Sequence, residues 1–150
     1  VALTIRPLDV EDVVAVERVC EVLPLDRLYQ GDGNYLVAFD GAQPVGHLHL
    51  ARSSPPEIQD LCVLDAHRRR GVATSLLAAA ELACRELGAD RAAVTVSVDN
   101  LVAQSLYAGL GYVDAGEPLR RVTGTVQLRT GPLVVDDTLR TLVKRLDPAG

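Results

Sequence analysis

Apolar positions along the chain switch between a period of two and a period near 3.6, and the switches mark the elements. Leu3 to Arg6 alternates as a strand, and Pro7 stops it. Asp9 reads as a helix N-cap, with Asp12 three residues on and Leu8 and Val13 spaced as a hydrophobic staple. Val10, Val13, Val14, Val16 and Cys20 then carry the apolar side of a helix ending near Leu23-Pro24. Tyr35 to Phe39 and Val45 to Leu50 are β-rich runs joined by Asp40-Gly41, which predicts a hairpin. Pro55-Pro56 precedes a further apolar run, Ile58 to Leu64, and a tight polar link from Asp65 to Gly71 follows it.

From Val72 to Leu87 the apolar residues Val72, Leu76, Ala80, Ala83 and Leu87 recur at helical spacing, with Gly88 as C-cap. Ala92 to Val98 is a strand, and Leu101 to Leu110 a short helix capped by Asn100. Tyr112 to Ala115 starts another strand. Val122 to Leu128 is expected to pair with Leu133-Val134-Val135 through Thr130-Gly131, and Leu139 to Leu146 to form a separate last strand. Helices set between strands, together with an antiparallel hairpin, imply an α/β (α+β) domain: a mixed sheet with helices on both faces.

The chain has 150 residues, one domain's length, and 48% are hydrophobic, enough to build a core. The longest clean apolar run, about Leu76 to Ala80, is far short of a membrane span, and the first residues show no secretory leader pattern. The formal net charge is −5, which argues against a generic nucleic-acid binder. Lys144 is the sole lysine, and the arginine bias with abundant Ala and Val suggests a GC-rich, bacterial genome. Cys20, Cys62 and Cys84 are odd in number and widely spaced, as reduced thiols of a cytoplasmic protein would be.

One loop stands out chemically. Arg68-Arg69-Arg70-Gly71-Val72-Ala73 lies between the Ile58–Leu64 strand and the long helix. The first helical turn has unpaired N–H groups at the positive end of the dipole, and Gly71 leaves the backbone approachable. Such a turn is an anion cradle suited to a diphosphate. The terminal Lys-Ser/Thr of a Walker loop is missing, and there is no Gly-x-Gly-x-x-Gly fingerprint.

These residues resemble the GCN5-related N-acetyltransferase (GNAT) superfamily, whose acetyl-coenzyme A loop reads Arg/Gln-x-x-Gly-x-Gly/Ala; Ala73 stands where Gly is commoner. A second family segment matches: Asn100, Ala103, Leu106-Tyr107, then Leu110-Gly111-Tyr112. The resemblance spans Ile58 to Val113 most firmly and is weakest over 116–138, a variable extension expected to shape the acceptor site. It implies a single domain over 1–150 with a mostly antiparallel sheet. The implied reaction is direct acetyl transfer from acetyl-CoA, without a metal, to an amine of a small molecule or a peptide. A homodimer is a family-level expectation.

By the same resemblance, backbone amides from Arg69 to Thr74, within the Arg68, Arg69, Arg70, Gly71, Val72, Ala73, Thr74 loop, would hold the pyrophosphate. Leu61, Cys62 and Val63 would line the pantetheine arm, with an amide there polarising the thioester oxygen. Asn100, Ala103 and Leu106 would face that arm, and Tyr107 would protonate the leaving thiolate. An alkylamine is neutral about once in 2,500 molecules at pH 7, a cost of about 4–5 kcal/mol that a base must help supply. Glu57 is the first candidate and Asp60 the second. Strict alternation puts Glu57, Gln59 and Leu61 on one face and Asp60 on the other; a bulge would reverse this.

Blander readings stand beside these. Asn100 can be simply an N-cap, Tyr107 a core-edge tyrosine, and Glu57 or Asp60 a strand-end carboxylate. His47 and His49 lie two apart on one strand face; with no third ligand evident they read as strand or cleft-lining residues rather than a metal site. Cys62 reads as inert. The rival function is a non-catalytic acyl-coenzyme A sensor on the same fold.

Overall fold

The computed structural model describes residues 3–19, 35–128 and 130–147. Its strands are β1 (Leu3–Pro7), β2 (Tyr35–Asp40), β3 (Gln43–Ala51), β4 (Glu57–Val63), β5 (Arg91–Ser97), β6 (Val113–Asp114), β7 (Arg120–Leu128) and β8 (Gly131–Arg145). The helices are α1 (Val13–Val19), α2 (Val72–Glu86) and α3 (Leu101–Gly109), with short 3-10 turns at Val10–Asp12 and Asp65–His67. The predicted end of the first helix, and Cys20, lie outside the described residues. The strands form an 8-stranded sheet in the order β1-β2-β3-β4-β5-β8-β6, with β7 beside β8. Every described pairing is antiparallel except β4 with β5. The mixed sheet expected from the pattern forms, and it is mostly antiparallel as the resemblance implies.

Alternation along β2 and β3 divides the core between the two faces. Ala38, Leu48, Leu50 and Ile58 pack with Leu76, Leu77 and Ala80 of α2, while Tyr35, Val37 and Phe39 pack with Val13 and Val16 of α1. Gly46 decides how closely α2 lies on the sheet. A Cβ there would sit 3.0 Å from the Cys62 carbonyl oxygen and 3.2 Å from Val72 and Leu76, so the first turns of α2 rest against bare backbone.

The start of α1 is tied to β1. Arg6 grips Asp12 with two hydrogen bonds, Nη1 to Oδ2 at 2.6 Å and Nη2 to Oδ1 at 3.0 Å. The same carboxylate accepts from the Asp9 backbone N–H at 3.2 Å, the reach-back half of the predicted capping arrangement. The hydrogen bond from Arg6 holds the Asp12 carboxyl below its ordinary range. Its contribution to stability is therefore present at neutral pH and is lost as pH falls through that lowered value.

The last strands correct the expected layout. Leu133-Val134-Val135 and Leu139 to Arg145 belong to one 15-residue strand, β8, and Leu146 lies just beyond it. Residues 131–139 pair with β7, and 139–145 with β5, so the partner changes without a break. Asp136-Asp137-Thr138 reads as an interruption because it is polar. In the fold Asp136 pairs with Arg121 across the β7–β8 ladder at 3.0 Å. Asp137 accepts from the Ser97 hydroxyl at 2.8 Å, at the point where β5 leaves the sheet.

A buried polar cluster fastens α2 to the far strands. Glu81, 7% exposed, accepts from the Tyr112 hydroxyl at 2.9 Å and from Lys144 Nζ at 2.9 Å. Burial first, and then the Glu81 charge, push the Tyr112 hydroxyl far up, so it stays a donor. Burial likewise pushes the Cys84 thiol up to about 11. Replacing Glu81 with Ala strands an ammonium and a phenol in a largely dry site. Urea denaturation should show a loss of roughly 2–4 kcal/mol, and Glu81→Gln a smaller one, because the amide oxygen still accepts.

Candidate active site

The site begins where β4 and β5 part. Among the described residues they pair at Glu57↔Ala93 and Ile58↔Val94, and the ladder then ends. The reason lies in β4. His49 pairs with Gln59 and His47 with Cys62, so two steps on β3 oppose three on β4. That extra residue is a bulge, and Asp60 within it has φ of 53°. A bulge bends its strand and increases the twist, which swings Leu61–Val63 away from β5. On the other side, β5 runs into α3 and is clamped there. Gln104 Nε2 donates to the carbonyls of Ser97 and Val98 at 3.1 and 3.0 Å, and the Asn100 side chain caps α3 by accepting from the Ala103 N–H at 3.0 Å.

The wedge between them is a cleft of about 690 Å³. Leu61, Cys62 and Val63 form one wall, and Asn100, Val102, Ala103 and Leu106 of α3 the other. Arg68, Arg69, Gly71, Val72, Ala73 and Thr74 close one end, with His67 beside them. Gly71 is the N-cap of α2 with φ of 79° and no side-chain cap. A Cβ at Gly71 would meet no atom within 4 Å. The first-turn N–H groups therefore face open space at the positive end of a 15-residue helix. Arg69 also has positive φ, 63°, which tightens the turn. Arg68 is tied back by its Nε to the Val63 carbonyl at 3.3 Å. These residues fit an extended ligand with a phosphate-bearing end: donors and arginines at one end, apolar walls along the rest.

Most residues singled out from the sequence thus meet in one place. Four lie off the cleft wall: the carboxylates Glu57 and Asp60, further back on β4, and Arg70 and Tyr107. Arg70 is exposed outside it. Tyr107 is 5% exposed, with its ring 5.8 Å from Tyr112 edge-on, and burial pushes its hydroxyl up to about 12. Val102 and His67 were missed. Val102 carries a readable signal: it is an apolar residue at the very start of a short helix, one turn before Leu106, and it is 84% exposed.

The bulge also resolves the face assignment of the two carboxylates. Glu57 and Gln59 share the α1 face with His47, His49 and Cys62, and Leu61 moves to the α2 face. Asp60 is exposed in the bulge. Glu57 Oε2 accepts from Gln59 Nε2 at 3.0 Å, and its Oε1 lies 3.6 Å from Arg120 Nη2.

A family model described as an acetyltransferase (GNAT) domain matches residues 11–126. The chain belongs to the GNAT acetyltransferase family. No curated protein sequence matches it significantly. Solved GNAT structures share its fold at low identity. The PaiA N-acetyltransferase of Thermoplasma acidophilum, solved with coenzyme A, is 15% identical, with 97% of this chain and 99% of that one covered at a TM-score of 0.69. The ribosomal-protein-S18-alanine N-acetyltransferase of Escherichia coli is 18% identical over 99% and 97%, at 0.72. Nourseothricin acetyltransferase is 19% identical over 98% and 100%, at 0.72.

Coenzyme A binding tests the cradle. By calorimetry, Gly71→Asp should raise the Kd for coenzyme A about tenfold or more, through a strained backbone and a repelled phosphate. Arg70→Ala, off the cleft wall, should change it by less than about threefold.

Proposed function

We propose that this GNAT chain is an N-acetyltransferase that passes the acetyl group of acetyl-CoA directly to a primary amine. The acceptor would be a small cationic molecule or a protein N-terminus. The observation that carries the reading is the wedge between β4 and β5, closed at one end by the uncapped start of α2. In this reading the amides from Arg69 to Thr74 take the pyrophosphate, and Arg68 and Arg69 add charge at the rim. The edge of β4 at Leu61 to Val63, past the end of the β4–β5 ladder, bonds the pantetheine, and one of its amides polarises the thioester oxygen. Asn100, Ala103 and Leu106 hold the arm from the α3 side.

The amine attacks the carbonyl carbon, the C–N bond forms, and the C–S bond breaks. A base takes one amine proton, and the sulfur leaves with another. Of the two carboxylates, the reading favours Glu57 at the base end of the reaction. It shares a face with polar side chains, whereas Asp60 stands in the exposed bulge. The extension 116–138 belongs to the acceptor side, because Arg120 reaches across to Glu57. The formal charge of −5 suits a cationic acceptor. The reading places the protein in a reducing cytoplasm, where Cys62 and Cys84, neither of them in a disulfide, stay reduced.

Tyr107 is the proposed acid, and its raised hydroxyl keeps its proton through the neutral and moderately alkaline range. It stands behind the cleft wall, which is the one feature favouring the rival reading of a non-catalytic acyl-coenzyme A sensor. Isotope-labelled acetyl-CoA with a panel of amines separates the two: the enzyme transfers label, and the sensor binds without transfer or hydrolysis. Tyr107→Phe should lower kcat about a hundredfold with coenzyme A affinity unchanged. In the wild type, rate loss from ionisation of this group should begin only as pH approaches about 12.

A further inference from the structure

The face of β3 and β4 opposite α2 carries a polar line that the cleft does not use. Gln59 donates from Nε2 to Glu57 Oε2 at 3.0 Å, and its Oε1 lies 3.1 Å from His49 Nδ1. The line starts from a group that can act in one sense alone. A carboxylate accepts, so the amide must present its NH2 to Glu57 and its oxygen to His49. An amide oxygen also accepts, so His49 Nδ1 must carry a proton. In the neutral ring the lone pair is then on Nε2, which has no partner among the described residues. His49 is half-buried, and Tyr35 holds its ring at 4.8 Å between centroids.

We infer that His49 is the base that takes the proton from the acceptor amine, with Gln59 and Glu57 as positioning residues that set its tautomer. The inference rests on the amine-acetylation reading above. His49 pairs with Gln59, about two residues or ~7 Å along β4 from Leu61, where the cleft wall begins. An ammonium entering on this face gives one proton to Nε2, and His49 later releases it to water. The resulting amine forms the C–N bond as the C–S bond breaks, and its second proton leaves with the sulfur. Glu57, the candidate of the sequence, has both oxygens engaged, one by Gln59 and one beside Arg120.

Among the described residues the groups facing His49 are few. β2 presents Tyr35, β4 presents Glu57 through Gln59 and Cys62 further along, and Arg120 backs Glu57. His47, on its own strand, is 1% exposed with both ring nitrogens unpartnered among the described residues. The described side chains of α1 (Val13, Val14, Ala15 and Val16) are apolar.

Nitrogen NMR of histidine-labelled protein reads the tautomer without any acceptor. Neutral His49 should show a protonated Nδ1 and a bare Nε2, and Gln59→Leu should abolish that preference. A protonated Nε2 in the wild type, or no change in Gln59→Leu, overturns the assignment. Kinetics then use spermidine, kanamycin and an alanine-starting peptide as acceptors. His49→Gln should lower kcat about a hundredfold, keep the KM for acetyl-CoA, and flatten the rise of rate with pH. Added imidazole should restore part of the rate to His49→Ala. Transfer that survives His49→Gln with an unchanged pH profile sinks the assignment alone. No transfer by the wild type to any of these amines sinks the acetylation reading, and the assignment with it.

Discussion

Two parallel strands whose ladder stops after two registers are the constraint on which the rest of this molecule depends. Had β4 and β5 stayed paired, the edge of β4 at Leu61–Val63 would be consumed by the sheet, and no cleft would open. The separation is held from both sides. A bulge with Asp60 at positive φ turns β4 one way, and Gln104 anchors the exit of β5 into α3. The separation leaves the β5 side of that edge open to an extended ligand, which could add to it as a strand would.

The charged end of the cleft depends on the packing of one helix. The positive end of α2 is useful because Gly46 lets the helix lie directly on β3, and because no side chain caps its first turn. Its orientation is fixed further along by Glu81, which joins Tyr112 and Lys144 in a buried cluster. Anion cradle and fold stability therefore meet in the same element. The acidic balance of the chain sharpens the contrast, since Arg68 and Arg69 gather at the same end of the cleft as the positive end of α2.

The bulge has a second effect. It carries Leu61 to the α2 face and leaves Glu57, Gln59 and Cys62 together with His47 and His49 on the α1 face. A hydrogen-bonded line from Glu57 to His49 becomes possible only in that register, and Arg120 from the β7–β8 extension meets its outer end. The segment least like the family in sequence thus touches the polar line that the reaction is proposed to use.

Much of this was legible in the residues themselves. The hairpin at Asp40-Gly41, the α2 span ending before Gly88, the Asn100 cap and the Arg68–Ala73 turn all rest on local chemistry: turn residues, helical spacing and a glycine at positive φ. Local chemistry acts over a few neighbours, so it can be read from a few neighbours. The unbroken β8 was misread because Asp136-Asp137-Thr138 finds its partners at Arg121 and Ser97, far away in sequence. The burial of Tyr107 was decided by the packing of α3 on the core, and the alignment of His49 with Gln59 by strand register. Register depends on which strands pair and on where a single extra residue is inserted. That is settled when distant segments pack, because one residue's slip exchanges the two faces of a strand and leaves its composition untouched.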